Sequence, residues 1–178
     1  NRARQTVMLK NQGMKIGFGA IGKGYAANSA KKTMIQKGIT DGMINAGGDL
    51  IAWGNQGDGT PWKIGIADPT KNKEYIAWLT ASNQSIVTSG NYEKYVIIHG
   101  HKYGHIINPK TGYPVTGIQS VTIISPDAEL SDALATSVFV LGVEKGLSLI
   151  NQLKSTECLI IDDENQIWKS SKLQLNYY

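Results

Sequence analysis

Residues 14–28 read MKIGFGAIGKGYAAN, and the pattern that follows this stretch decides between two architectures. Met14, Ile16 and Phe18 alternate as a strand would, and a run from Tyr25 to Gln36 suits a helix. Between them Gly17, Gly19, Gly22 and Gly24 put four glycines in eight residues, with Lys23 among them. Glycines at this density let backbone N–H groups approach an anion, and a helix N-terminus behind them adds partial positive charge. They serve equally for a tight strand-to-helix turn with no ligand, and the stretch alone supports both readings. Gly17 to Gly22 is a literal G-x-G-x-x-G with Asp41 roughly 20 residues beyond, the dinucleotide fingerprint, which requires strands and helices to keep alternating. Gly17 to Lys23 also spells G-x-x-x-x-G-K, but Gly24 stands where a magnesium-binding Ser or Thr belongs.

The rest of the chain does not alternate. Apolar periodicity and turn residues predict strands at 5–9, 14–18, 42–46, 50–53, 62–67, 75–80, 85–89, 92–98, 105–107, 120–124, 158–161 and 166–169. Residues 99–104 read as a hairpin turn and 108–117 as a loop with two prolines. Helices are expected only at 21–37, closed by Gly38, at 128–141, closed by Gly142, and at 144–153. Strands that outnumber helices in this way imply an α+β fold, with a largely antiparallel sheet and a few packed helices. The 178 residues suit a single domain, 1–178.

Lys and Arg total 18 against 14 Asp and Glu, a formal charge of +4 scattered without a basic run, which argues against nucleic acid and mildly favours an anionic ligand. The lone cysteine, Cys158, has no partner for a disulfide or a metal site and is expected to be buried. No apolar run approaches membrane-spanning length and no signal peptide is recognisable. The first residue is Asn, so the chain reads as a processed or truncated piece.

Three places could carry chemistry. On the helix at 128–141, Leu134, Val138 and Leu141 are expected to form the core-facing stripe, with Asp132 and Thr136 one turn apart on the opposite face. A carboxylate and a hydroxyl so spaced are hard oxygen ligands for Mg²⁺; an Asp favoured by the helix dipole is the alternative. His99, His101 and His105 lie within seven residues, but zinc would need further ligands and none is obvious. His99 and His101 fall at a hairpin tip facing solvent. His105 opens HIINPKTGYPV at a strand end before a Gly/Pro-shaped loop, where ligand contacts often sit, although a structural histidine fits as well.

Four segments, GAIGKGYA (19–26), INAGGDL (44–50), TSGNYEKY (88–95) with HIINPKTGYPV (105–115), and SDALATSVFVLG (131–142), together resemble the ApbE-type FAD:protein FMN transferases, formerly described as thiamine-biosynthesis lipoproteins. The resemblance spans nearly the whole chain. It implies an enzyme that cleaves FAD in a Mg²⁺-dependent reaction, attaches FMN through its phosphate to a Thr or Ser of an acceptor flavoprotein, and releases AMP. A relative that binds FAD without transfer is the alternative. By that resemblance the metal would be held by Asp132, Thr136 and the Ala20 carbonyl, with Ala135 close by, and FAD would be contacted by Lys23 and the Ile106 region. Gly17 occupies a flavin-contacting position where family members usually carry Asp. His105, Asp132 or a metal-bound water could take the proton of the acceptor hydroxyl. The family acts outside the cytoplasm of bacteria, tethered by an N-terminal lipid. Its N-terminal region, with that anchor and further FAD contacts, is expected to lie outside these residues, leaving the C-terminal major part of the fold.

Overall fold

The computed structural model describes residues 1–71, 74–91 and 94–177, with the side chains of His101 and Lys102 left aside. In chain order the elements are α1 (Gly22–Gln36), β1 (Gly42–Ala46), β2 (Asp49–Trp53), β3 (Trp62–Ala67), β4 (Tyr75–Ala81), β5 (Gln84–Gly90), β6 (Tyr95–Ile98) and β7 (His101–Gly104). There follow β8 (Ile118–Ser125), α2 (Ala128–Leu141), α3 (Val143–Ile150), β9 (Glu157–Asp162), β10 (Ile167–Lys169) and β11 (Asn176–Tyr177). The main sheet has the order β1-β2-β5-β8-β9-β10; β11-β4-β3 form a second sheet and β6-β7 a hairpin. Every pairing among the described strands is antiparallel. The α+β expectation therefore holds, and among the described residues the doubly wound parallel sheet that a dinucleotide fingerprint needs is absent.

The central strands are covered on both faces, which explains their nearly continuous apolar runs. Alternate residues divide between two cores. Val87, Val121, Ile123, Cys158 and Ile160 pack against Val138 and Phe139 of α2 and Ile150 of α3. Ile86, Ile124 and Leu159 face the second sheet, against Ile64, Ile66 and Leu79. Cys158 is buried as expected, and burial pushes its thiol well above the ordinary range.

Three expectations need correction. Residues 5–9 and 14–18 form no strand: no described strand lies beside them, so Val7 and Phe18 stay 77% and 70% exposed. Alternation produces a strand only where a neighbour completes the ladder and covers one face. The hairpin at 95–104 is tighter than expected. His99 and Gly100 take φ of 49° and 80° and form a two-residue turn. The returning strand is thus β7 rather than 105–107, of which only Ile107 makes a single bridge, to Pro114. The start of the strand expected at 92–98 lies outside the described residues. Finally, α3 ends at Ile150, three residues short of the expected limit, and the short β11 gave no signal in the sequence.

Candidate active site

The site is assembled where α1 crosses α2. The first turn of α1 has no local cap, since Ile21 offers no side-chain oxygen and the turn holds no acidic residue. The acceptor comes instead from α2: Asp132 Oδ2 accepts a hydrogen bond from the Gly24 backbone N–H at 3.1 Å, across 108 residues of chain. One turn along α1, Asn28 returns the favour. Its Nδ2 donates to Asp127 Oδ1 at 2.7 Å and its Oδ1 accepts from the Ala128 N–H at 3.2 Å. Asp127 is itself the N-cap of α2, accepting from the Leu130 N–H at 3.1 Å. The two helix starts therefore cap each other.

Glycine is required at this crossing. A Cβ on Gly24 would lie 2.1 Å from the Ala128 carbonyl oxygen, so the position that a phosphate loop fills with Ser or Thr here lets two backbones touch. The expected stripe on α2 is rotated in consequence. The buried residues are Ala128, Ser131, Asp132, Ala135, Val138 and Phe139, whereas Leu134 is only partly buried and Leu141 is 42% exposed. Cover comes both from β5 and β8 beneath and from α1 alongside, so the buried arc turns toward Asp132, which is 3% exposed. A hydroxyl cluster seats this end of the helix: Ser131 Oγ lies 2.9 Å from Ser85 Oγ and 2.8 Å from Ser125 Oγ, all three buried. Ser89 on β5 approaches Thr136 Oγ1 to 3.2 Å.

These groups open into a cavity of about 740 Å³ whose lining includes Gly19, Ala20, Lys23, Ser89, Asp132 and Thr136 on one side and Lys94, His105, Ile106 and Ile107 on the other. Of the residues proposed from sequence, Ala20, Lys23, His105, Ile106, Asp132 and Thr136 thus share one space. Gly17 does not line it and is exposed, and Ala135 packs into the core beneath α2. His105 is exposed at the rim, its Nδ1 3.2 Å from the Lys94 carbonyl oxygen; with the proton on Nδ1 in that contact, Nε2 is left to accept. His99 is exposed on the hairpin, the His101 side chain lies outside the described residues, and no three His, Cys, Asp or Glu among the described residues gather as a metal cluster.

Ser89, Lys94 and Asp49 were not singled out individually from sequence; they fall within the TSGNYEKY and INAGGDL segments. Gly47 and Gly48, at φ of 63° and 99°, make the turn between β1 and β2, and Asp49 opens β2 with its side chain fully buried. Lys23 Nζ lies 2.7 Å from Asp49 Oδ1 and also donates to the Gly47 carbonyl oxygen at 3.3 Å. The Asp49 carboxyl is raised to about 6: burial raises it most, the bond from Lys23 lowers it, and the neighbouring Asp132 carboxylate raises it. The signal available was a carboxylate where an apolar strand begins.

The ApbE family model matches residues 1–160. The chain belongs to the ApbE family. It is 34% identical over 174 residues to an FAD:protein FMN transferase of Klebsiella pneumoniae, covering 97% of this chain and 53% of that protein. With the FAD:protein FMN transferase of Treponema pallidum it shares 34% identity over 179 residues, covering 95% and 49% respectively. The fold matches the crystal structure of the ApbE protein of Thermotoga maritima with a TM-score of 0.82 at 34% identity, over 90% of this chain and 52% of that one. The apo flavinyl transferase ApbE of Pseudomonas stutzeri superposes with a TM-score of 0.72 at 26% identity, over 88% and 49%. The chain spans about half the length of the curated relatives it matches.

Proposed function

We propose that this chain carries the metal- and pyrophosphate-handling part of an FAD:protein FMN transferase, which cleaves FAD, attaches FMN by a phosphoester to a Thr or Ser of an acceptor flavoprotein, and releases AMP. The observation that carries this reading is the convergence of Asp132, Thr136, Ala20 and Lys23 on one cavity in a member of the ApbE family. The donor chemistry fits Mg²⁺. Asp132 spends one carboxylate oxygen on Gly24 and keeps the other, and Thr136 and the Ala20 carbonyl add oxygens, with no thiolate nearby to favour zinc. Mg²⁺ held by these three residues would neutralise charge on the phosphates during transfer.

The chain's own groups do the remaining work. Lys23 brings a positive charge to the pyrophosphate, and the backbone around Gly19 and Ala20 lets it approach without side-chain obstruction. His105, at the rim, is placed to take the proton of the acceptor hydroxyl through Nε2. Lys94, His105 and Ile107 also border an adjoining groove of about 660 Å³ lined by Tyr95, Val96, Ile98 and Tyr113, which leaves room beside the cavity for the bulk of an aromatic substrate or an acceptor chain. The full-length protein is assigned to the extracytoplasmic space, tethered by a lipid anchor, on the family resemblance alone; no helix among the described residues is long and apolar enough to cross a membrane.

The test is mass spectrometry of a candidate acceptor incubated with full-length protein, FAD and Mg²⁺. An acceptor heavier by one FMN, with AMP released in equal amount and both lost on chelation, is the expected result. FAD recovered intact under the same conditions would instead make the protein a flavin-binding module.

A further inference from the structure

Lys23 has a flexible four-carbon stem and its side chain is 41% exposed, so left to itself its ammonium would sample many positions over the cavity. It is instead held at two points, by Asp49 Oδ1 at 2.7 Å and by the Gly47 carbonyl oxygen at 3.3 Å, both supplied by the β1–β2 turn. Asp49 is fully buried and its second oxygen, Oδ2, has no hydrogen-bond partner among the described residues. A buried carboxylate with an unpartnered oxygen beside a second carboxylate is a costly arrangement, and a turn between two strands does not need one. Among the described residues neither the Gly47 nor the Gly48 N–H donates to it; Asn45 Oδ1 accepts the Gly48 N–H at 2.8 Å and so supports the turn already.

We propose that Asp49 is a positioning residue of the site: it fixes the Lys23 ammonium beside the Gly19–Ala20 turn, where that charge meets the diphosphate of the substrate. The ammonium has three donors, and Asp49 and Gly47 occupy two from the turn side, leaving the third directed by the same contacts. Pre-placing a charge in this way removes the ordering cost that a free lysine would incur when the ligand binds. Asp49 acts through Lys23 and does not itself line the cavity.

The role of Lys23 toward FAD rests on the function proposed above, so the experiment has one arm that needs no ligand. In full-length protein carrying ¹³C-labelled lysine, the Lys23 Cε resonance is expected apart from those of exposed lysines. Asp49→Asn should move it to join them, with the melting temperature measured alongside. A Lys23 resonance already among the exposed lysines in the unsubstituted protein would overturn the proposal, whatever the protein does with FAD. In the second arm, FAD affinity is measured with Mg²⁺ by flavin fluorescence for Asp49→Asn, Lys23→Gln and the double variant. Asp49→Asn should weaken binding about tenfold, as expected for a charge-assisted contact, and add little once Lys23 is Gln. Additive losses would indicate a merely structural carboxylate. Tighter binding in Asp49→Asn would mean that Asp49 only masks the lysine's charge; either result rejects the assignment.

Discussion

On one side of the cavity, Asp132 and Thr136 project from α2 and Ser89 from β5, elements fixed by the core, by the serine cluster and by the capping exchange with α1. On the other side, Lys94, His105 and Ile107 come from segments outside the main sheet, and all three are exposed. The contrast follows from what each side has to hold. On the proposed function, the Asp132 and Thr136 oxygens offered to a small cation take fixed positions from the packed elements that carry them, while the Ala20 carbonyl comes from an exposed turn. On the same proposal, a large, partly apolar substrate and a second protein would need a surface that can be approached.

The heaviest blow to the rigid side is Asp132→Asn, which removes the anionic ligand while preserving size. AMP release from FAD should fall on the order of a thousandfold, with the melting temperature changed far less, as read by a coupled AMP assay and calorimetry. Gly24→Ala attacks the same side through packing. Its Cβ must displace the Ala128 carbonyl, so denaturant melts should show a loss of about 3 kcal/mol, together with weakened cation binding. On the open side the two effects should separate. His105→Ala is expected to slow transfer roughly a hundredfold without lowering the melting temperature, since the side chain is exposed and bonded only to the Lys94 carbonyl. Ile97→Thr, on the β6–β7 hairpin, should change stability by less than about 0.5 kcal/mol, because that side chain is 66% exposed. Equal losses of stability for His105→Ala and Gly24→Ala would erase the distinction between the two sides.

Much of the rigid side was legible in the sequence. Asp132 and Thr136 are spaced for a shared helix face, the glycines mark a close backbone approach, and the strand runs gave the α+β class. What stayed hidden depended on partners distant in the chain. The orientation of α2 was misjudged because Leu134 and Leu141 outrank Ala135 and Ser131 in hydrophobicity, yet α1 covers the face of small residues. Asp49 did not stand out within the INAGGDL segment because its meaning lies in Lys23, 26 positions earlier. Residues 5–9 and 14–18 carry strand-like patterns, and nothing in those patterns records whether a neighbouring strand is present.

The mutual capping of α1 and α2 has a consequence for the order in which the molecule assembles. Of its own residues α1 buries only Gly24 and Ala27, too little to hold a helix in place unaided. The contact with Asp132 must also close over 108 residues, and so forms late, once β2, β5 and β8 have built the floor beneath α2. On the proposed function, affinity for Mg²⁺ should therefore mature at the end of folding, and a nascent or partly unfolded chain would leave the metal unclaimed.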